Sequence, residues 1–190
     1  MVDKPLTLAS NDFELFAVRA RFAQDAGALD ARWKELQREA HPDRFAAQGV
    51  AAQRQAMQWS VRINEAYQRL KHPLKRAAYL CELAGAPINA ENNTAMPAEF
   101  LIEQMQWRES LDDAGSEADI ARLLELVNQA RVAALQYCEE LLDVQHAPAQ
   151  AVGQVRALMF IERFSHDVES RLDDLQNSPA GVAGTSGQAT

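Results

Sequence analysis

The sequence predicts an all-α protein, with an N-terminal helical hairpin plus a short helix followed by a C-terminal three-helix bundle. Three observations support this fold class. The chain is rich in Ala, Leu, Gln, Glu and Arg, which favour helices, and poor in runs of β-branched residues. Apolar residues recur at helical spacing in most segments. Prolines 42, 73, 97 and 148 stand where these patterns start or stop, as expected at helix boundaries.

Three helices are predicted in the N-terminal part. The first covers residues 11–18, the second begins near Ala28 and ends before Pro42, and the third ends near Lys71. The apolar stripes of the second and third helices would face each other in an antiparallel hairpin. These stripes contain Leu29, Trp33, Leu36 and Ala40 in the second helix and Ala56, Trp59, Ile63, Ala66, Tyr67 and Leu70 in the third.

In the C-terminal part, the sequence predicts a short linker helix and three longer helices. They cover about residues 75–84, 97–113, 116–142 and 149–176. Ser116 and Asp119 resemble a capping box at the start of the third of these helices. We place the domain boundary near Pro73, which gives a domain over residues 1–73, a bundle over residues 74–176 and a disordered tail over residues 177–190.

The charge of the chain is unevenly distributed. Residues 1–73 carry 11 Lys and Arg against 9 Asp and Glu, whereas residues 74–190 carry 8 against 18, and the net charge is -8. An acidic chain without a basic run is a poor binder of nucleic acid. No apolar stretch approaches the roughly 20 residues that span a bilayer, and the N-terminus lacks the pattern of a signal peptide. We therefore expect a cytoplasmic protein with no nucleic-acid or membrane partner.

The sequence gives no indication of a metal site, a cofactor or an enzymatic activity. The histidines and the two cysteines, Cys81 and Cys138, lack the close paired spacings of zinc and iron–sulfur sites. Both cysteines lie within helical patterns and are expected to be small buried residues in a reducing compartment. There is no Gly-rich phosphate loop and no recognisable nucleophile motif.

The most informative motif is His41-Pro42-Asp43, which lies between the two hairpin helices. Pro42 stiffens the loop and ends the helix before it, and Asp43 would stand exposed as an acceptor for a cationic group on a partner. Phe45 can fold back as an apolar pin. A positive patch that steers docking to an acidic surface would consist of Arg32, Lys34, Arg38 and Arg44. The alternative is that Asp43 caps the next turn and the cations form an ordinary solvated face.

This combination resembles the J-domain family, whose members stimulate ATP hydrolysis by Hsp70-type chaperones. The resemblance implies that His41, Pro42 and Asp43 are required for this stimulation and that the basic helix is the docking face. Many J-domains have an aromatic residue immediately before the histidine, where this chain has Ala40. This difference should loosen the helix end without altering the tripeptide.

Two helices of the C-terminal part have more apolar surface than one core stripe requires. In the helix over residues 97–113, one stripe contains Phe100, Gln104, Trp107 and Leu111, and a second apolar face contains Leu101, Ile102 and Met105. In the last helix, Phe160 lies off the core stripe with charged neighbours, which suggests an exposed apolar spot with a polar rim. The alternative, slightly favoured by spacing alone, is that these residues pack against the rest of the chain.

Two segments narrow the resemblance to the HscB family of iron–sulfur cluster assembly co-chaperones. They are residues 72–80, which follow the J-domain directly, and residues 100–109, and the resemblance extends over roughly residues 10–176. It implies recruitment of the chaperone HscA and binding of the scaffold IscU. The implied client-binding residues are Leu101, Ile102, Met105 and Phe160, with Gln106 and Glu109 as a polar fringe. Gln106 stands where an acidic residue is expected.

Two other functions are compatible with the sequence. One is a general J-protein that presents unfolded polypeptide to a DnaK-type chaperone. The other is a structural helical adaptor in which the tripeptide is incidental. The Gly/Phe-rich and zinc-finger regions of general DnaJ proteins are missing from this sequence, which favours the narrower assignment.

Overall fold

The computed structural model describes residues 6–89 and 96–177, and within these ranges it contains helices and no strands. The prediction of an all-α fold is therefore confirmed. The α-helices are α1 (Asp12–Phe16), α2 (Ala26–Glu39), α3 (Val50–Lys71), α4 (Pro73–Leu83), α5 (Ala98–Asp113), α6 (Glu117–Glu139) and α7 (Pro148–Asn177). A 3₁₀ helix over Pro42–Gln48 precedes α3, and a π-helical turn over Glu140–Val144 follows α6.

Helix α1 is shorter than the predicted span of residues 11–18. Asn11 caps it, because the Asn11 side chain accepts a hydrogen bond from the Glu14 N–H at 2.9 Å and the Glu14 carboxylate accepts one from the Asn11 N–H at 3.1 Å. Ala17 then adopts a left-handed conformation with a φ of 53°, which ends the helix at Phe16. Alanine rarely adopts a positive φ, because its Cβ crowds the backbone. The sequence around Ala17 therefore gave no sign that the helix ends at Phe16.

Two other helix boundaries differ slightly from the prediction. Helix α2 begins at Ala26 rather than near Ala28, because the Asp25 side chain accepts a hydrogen bond from the Ala28 N–H at 2.9 Å and acts as the N-cap. Helix α4 begins at Pro73 itself, so His72 alone separates it from α3. Proline suits the first helical position because its missing N–H would have no partner inside the helix.

Helices α2 and α3 form the predicted antiparallel hairpin. The Tyr67 hydroxyl donates to the Asp30 carboxylate at 2.7 Å, and the Trp33 indole N–H donates to Asn64 Oδ1 at 2.8 Å. Residue numbers rise along one helix as they fall along the other, which defines the antiparallel register. The buried core between these helices and α1 contains Phe13, Leu15, Phe16, Leu29, Leu36, Ile63, Ala66, Tyr67 and Leu70.

A buried carboxylate fixes α1 to the hairpin. The Asp12 side chain is fully buried, and its two oxygens lie 2.5 Å from Arg62 Nη2 and 3.2 Å from Arg69 Nη1. The Asp12 backbone N–H donates to the Tyr79 hydroxyl at 3.0 Å. A charge is tolerated in an interior only when it is paired and hydrogen-bonded, so the position of α1 depends on these partners.

We expect Asp12→Ala to lower the free energy of unfolding by about 3 kcal/mol, because it leaves two guanidinium groups without their carboxylate. Urea titration followed by circular dichroism would measure the change. Glu65→Ala, on an exposed position of α3, is the control and should change the free energy of unfolding by less than about 0.5 kcal/mol. A loss below about 1 kcal/mol for Asp12→Ala would contradict the structural role of this carboxylate.

The chain divides into two compact units, and both combine distant parts of the sequence. Unit 1 contains residues 1–95 and 135–156, and unit 2 contains residues 96–134 and 157–190. Helices α6 and α7 therefore contribute residues to both units. The predicted domain boundary near Pro73 stays a prediction. Residues 178–190 of the predicted disordered tail lie outside the described residues.

Within unit 1, a specific contact attaches residues 135–156 to the N-terminal part. The Asp143 carboxylate, in the π-helical turn, accepts hydrogen bonds from the backbone N–H groups of Phe22 and Ala23 at 2.6 and 2.8 Å. Bonds from two N–H groups to one ionised acceptor are stronger than bonds between neutral groups. This contact joins residues that are about 120 positions apart, so no local sequence pattern could indicate it.

Unit 2 contains the predicted three-helix core, formed by α5 and by the adjoining parts of α6 and α7. The N-terminus of α6 is capped as predicted. The Ser116 hydroxyl accepts a hydrogen bond from the Asp119 N–H at 3.3 Å, and the Asp119 carboxylate accepts one from the Ser116 N–H at 3.0 Å. The buried residues of the core are Phe100, Trp107, Ala114, Ile120, Leu123, Val127, Ala157, Ile161, Phe164 and Val168. They include Phe100 and Trp107 of the stripe predicted for α5, against which Leu111 packs as a partly buried residue.

Candidate functional site

In unit 1, the His41-Pro42-Asp43 tripeptide lies at the start of the 3₁₀ helix and not in an irregular loop. We call residues His41–Arg44 the docking turn. His41 caps this helix, because its Nδ1 accepts a hydrogen bond from the Asp43 N–H at 3.3 Å. The Asp43 side chain is 89% exposed, and its Oδ2 lies 3.6 Å from His41 Nδ1. The turn is therefore held by His41 and not by the Asp43 carboxylate, so a capping role does not explain Asp43.

The predicted positive patch is exposed at three of its four positions. Lys34, Arg38 and Arg44 are exposed, and the Arg44 guanidinium donates to the Arg38 carbonyl at 3.2 Å, which holds Arg44 beside the end of α2. Arg32 is half-buried and pairs with Glu35 at 2.5 Å, and its place in the docking surface stays a prediction. The Glu35 carboxylate offsets its charge, so we expect Arg32 to contribute less to electrostatic steering than the other three cations.

An apolar cavity beside the docking turn was not found from the sequence. Phe45 is half-buried and lines this cavity together with Ala40 and Trp59, so Phe45 packs toward the hairpin as expected for an apolar pin. The cavity has a volume of about 390 Å³. Its one indication in the sequence was Ala40, a small residue where many J-domains have an aromatic one.

In unit 2, the second apolar face of α5 is confirmed. We call Leu101, Ile102 and Met105 the α5 apolar face, and these residues are 39%, 61% and 70% exposed. On the opposite side of α5, Phe100 and Trp107 of the first stripe are buried. Gln106 and Glu109 are exposed, as expected for a polar fringe. Three large apolar side chains exposed on adjacent turns of one helix are typical of a binding surface rather than of a core.

Phe160 does not form the exposed apolar spot that its position off the core stripe suggested. It is half-buried against the core of unit 2, with its ring centroid 5.7 Å from that of Phe164 and 5.6 Å from that of Phe100. The Arg108 guanidinium covers its ring at 5.4 Å from the centroid. The prediction of exposure is therefore wrong, because aromatic packing with α5 and the next turn of α7 outweighs the helical stripe.

We expect Phe160→Ala to destabilise unit 2 by about 2 kcal/mol, less than a fully buried Phe→Ala change because the ring is only half-buried. Thermal and urea unfolding would measure this loss. Met159→Ala, at the neighbouring exposed position, is the matched control and should stay within about 0.5 kcal/mol of the parent chain. Equal unfolding free energies for the two variants would show that the Phe160 ring adds nothing to the core.

The two cysteines are buried free thiols, as expected. Burial raises the pKa of Cys81 to about 11 and the pKa of Cys138 to about 12. The thiolate is the reactive form of cysteine, so neither side chain is a nucleophile near neutral pH in the folded chain. The Cys81 thiol lies 3.6 Å from the Pro148 carbonyl oxygen, within unit 1.

We expect the folded chain to resist alkylation by iodoacetamide at pH 8, because both pKa values lie well above that pH. Mass spectrometry would follow the added mass over an hour, and the same reaction in 6 M guanidinium chloride serves as the control. Modification at similar rates in the two conditions would show that the thiols are not buried.

The described residues contain no group of three or more His, Cys, Asp or Glu side chains placed to hold a metal ion. Among the helices in residues 6–89 and 96–177, none is both long enough and apolar enough to cross a bilayer.

Comparisons with known proteins agree on one family. Residues 96–169 match the model of the HSCB C-terminal oligomerisation domain. A co-chaperone protein HscB homolog of Burkholderia multivorans is 47% identical over 175 residues, which cover 90% of this chain and 99% of the relative. A homolog of the same name from Paraburkholderia xenovorans is 45% identical over 173 residues, with the same coverage of both chains.

Solved structures give the same result. Chaperone HscB from Vibrio cholerae superposes with a TM-score of 0.76 at 34% identity, covering 87% of this chain and 99% of that one. The crystal structure of the human co-chaperone protein HscB superposes with a TM-score of 0.80 at 25% identity, covering 86% and 82%. Since curated relatives align at more than 40% identity over nine tenths of its length, the chain belongs to the HscB family of co-chaperones.

Proposed function

We propose that this chain is a cytoplasmic co-chaperone of iron–sulfur cluster assembly with two binding surfaces. Residues 1–73 act as a J-domain that stimulates the ATPase of the Hsp70-type chaperone HscA. The C-terminal bundle binds the scaffold IscU and delivers it to the chaperone. In this account the chain performs no catalysis of its own and carries no cofactor, and ATP is hydrolysed by the partner.

The observation that carries the proposal is the exposed Asp43 carboxylate. The docking turn keeps its shape through the His41 imidazole and Pro42, so the Asp43 carboxylate is available for a cationic group of the chaperone. Lys34, Arg38 and Arg44 add positive charge next to it. An exposed anion beside several cations suits a partner surface that is mainly acidic and presents one cation.

The α5 apolar face supports the client-binding part of the proposal. Its three side chains form an apolar centre, and Gln106 and Glu109 form the polar rim that excludes water around such centres. Phe160 contributes to this surface mainly by supporting α5 through its contact with Phe100. We therefore assign IscU binding principally to Leu101, Ile102 and Met105.

A competition experiment tests the choice of client. Fluorescently labelled IscU is titrated with the chain, and the complex is then challenged with a reduced, unfolded model polypeptide. We expect saturable IscU binding that excess unfolded polypeptide does not reverse. Displacement of IscU by that polypeptide would favour a general J-protein acting with a DnaK-type chaperone. A chain that stimulates no Hsp70 ATPase would instead be a structural helical adaptor.

The name of the matched family model adds self-association as a second candidate role for the bundle. The α5 apolar face is a surface that a second copy could bury, because it is exposed in the single chain. Sedimentation velocity with and without IscU separates the two roles. If the chain is a monomer at micromolar concentration, the α5 apolar face is assigned to the client. If the chain is a dimer that IscU dissociates, this face is assigned to both self-association and client binding.

A further inference from the structure

The cavity beside the docking turn is apolar at its base and open to solvent at its mouth. Buried Leu15, Leu36 and Ile63 form its floor, and the half-buried rings of Phe45 and Trp59 form its walls. Polar side chains at the mouth belong to Glu39, Gln48 and Gln55. An apolar concavity with a polar rim is the usual form of a site that receives one apolar group.

The cavity is open because small residues line it. Ala40, Ala52 and Ala56 each present only a methyl group where a larger side chain would fill the space. The 3₁₀ helix beside it contributes the half-buried Phe45 ring and the exposed Gln48 side chain to the lining, and none of its residues is fully buried. At about 390 Å³ the space is large enough to receive one apolar side chain of a partner.

We propose that this cavity receives an apolar side chain of the Hsp70-type chaperone when that chaperone docks on Asp43. The inference rests on the proposed function and identifies a second contact at the same site. Ala40 directly precedes the tripeptide and Phe45 follows it by two residues, and both line the cavity, so the cavity adjoins the docking turn. The chaperone surface would then present an apolar side chain next to the cation that pairs with Asp43.

Charge beside the cavity also suits a chaperone surface of this kind. The Glu39 carboxylate lies at the mouth, and exposed Arg38, Asp43 and Arg44 lie within five residues of it in the chain. A partner surface that is mainly acidic and presents one cation next to an apolar side chain would complement these charges and fill the cavity.

Ala40 is, on this account, a specificity-determining residue. A larger side chain at position 40 would occupy part of the space that is open here. A chaperone with a protruding apolar side chain would then bind this chain more tightly than a J-domain whose residue at this position fills the cavity. A misfit of one or a few methylene groups in an apolar pocket changes discrimination by roughly 10- to 200-fold.

Ala52→Leu tests the proposal because it fills the cavity from α3 without changing the tripeptide or its cap. Ala51→Leu is the matched control, since Ala51 is exposed on the same turn of α3 and does not line this cavity. ATPase stimulation of HscA is measured over a range of co-chaperone concentrations, and thermal unfolding of each variant is recorded in parallel. Ala40→Phe fills the same space from the end of α2 and provides a second variant.

We expect Ala52→Leu and Ala40→Phe to raise the concentration needed for half-maximal stimulation by about tenfold or more. Their unfolding temperatures should equal or exceed that of the parent chain, and Ala51→Leu should behave as the parent. If the parent stimulates HscA, Asp43→Ala does not, and both cavity variants match the parent, the cavity proposal is wrong and the proposed function stands. If the parent itself fails to stimulate HscA, both are wrong. A parent chain that is dimeric and becomes monomeric on Ala52→Leu would assign the cavity to a second copy and overturn the proposal.

Discussion

Asp43→Ala is expected to abolish stimulation of the HscA ATPase while the chain stays folded. The Asp43 side chain is 89% exposed, and the Asp43 backbone N–H, which the substitution retains, makes the capping bond to His41. Loss of the carboxylate would leave a chaperone cation without its partner in the complex. Such truncation of a hydrogen-bonded charge pair costs about 2–5 kcal/mol, which corresponds to a loss of affinity of roughly 30-fold to several thousandfold.

Three measurements make this test specific. Steady-state ATP hydrolysis by HscA reports the loss of stimulation, circular dichroism reports the fold, and IscU binding reports unit 2. Glu65→Ala, an exposed carboxylate on α3, is the control for the loss of one negative charge from unit 1. Normal stimulation by Asp43→Ala would refute the assignment of this carboxylate to chaperone docking. A large fall in unfolding temperature would refute the claim that the turn is held by His41.

The second large effect is expected at the α5 apolar face. Replacing Leu101, Ile102 and Met105 together by serine should weaken IscU binding by at least about a hundredfold, because each buried aliphatic side chain contributes about 1.5–3 kcal/mol when it leaves water. Stability should change little, since these side chains are exposed in the free chain. Isothermal titration calorimetry would measure the affinity, and urea unfolding would measure the stability.

The matched control replaces an exposed leucine elsewhere in unit 2. Leu126→Ser, on α6, removes an aliphatic side chain that is 54% exposed and should leave IscU binding unchanged. Stimulation of HscA in the absence of IscU should be unaffected in both variants. Loss of stability in the triple serine variant would mark the three residues as core, and unchanged affinity would exclude them as the client surface.

Much of the fold was predictable because the apolar stripes are long and regular. Leu29 and Leu36 in α2, and Ile63 and Leu70 in α3, are buried as their spacing predicted. The spacing in α5 showed that Leu101, Ile102 and Met105 form a second apolar face, but spacing alone slightly favoured packing of that face, and only the family resemblance indicated its exposure. Local spacing identifies the faces of one helix but not which of them a neighbour covers.

Features that depend on contacts between distant residues could not be predicted in this way. Spacing within α7 placed Phe160 off the core, yet its neighbours in space include Phe100 on another helix. Asp143 showed no sign that it would bind the backbone of Phe22 and Ala23. The combination of residues 1–95 with 135–156 in one unit has the same origin, because distant contacts define it.

The candidate site was predicted in its residues but not in its local structure. The tripeptide indicated a docking role, whereas the 3₁₀ helix and the cap by His41 come from backbone geometry that the motif does not specify. The cavity depends on Ala40 at the C-cap of α2 and on Ala52 and Ala56 in α3, and the sequence does not show that these small side chains leave a space between them. Arg32 fitted the basic pattern, but its pairing with Glu35 removes much of its contribution.

The most direct test of the two-surface account is the HscA ATPase rate measured with the chain alone, with IscU alone and with both. We expect the chain alone to stimulate hydrolysis, and the chain with IscU to stimulate it more than the two separate effects combined. The serine variant of the α5 apolar face should keep the first effect and lose the second, and Asp43→Ala should lose both. A rate that IscU leaves unchanged in the presence of the chain would contradict delivery of IscU to the chaperone.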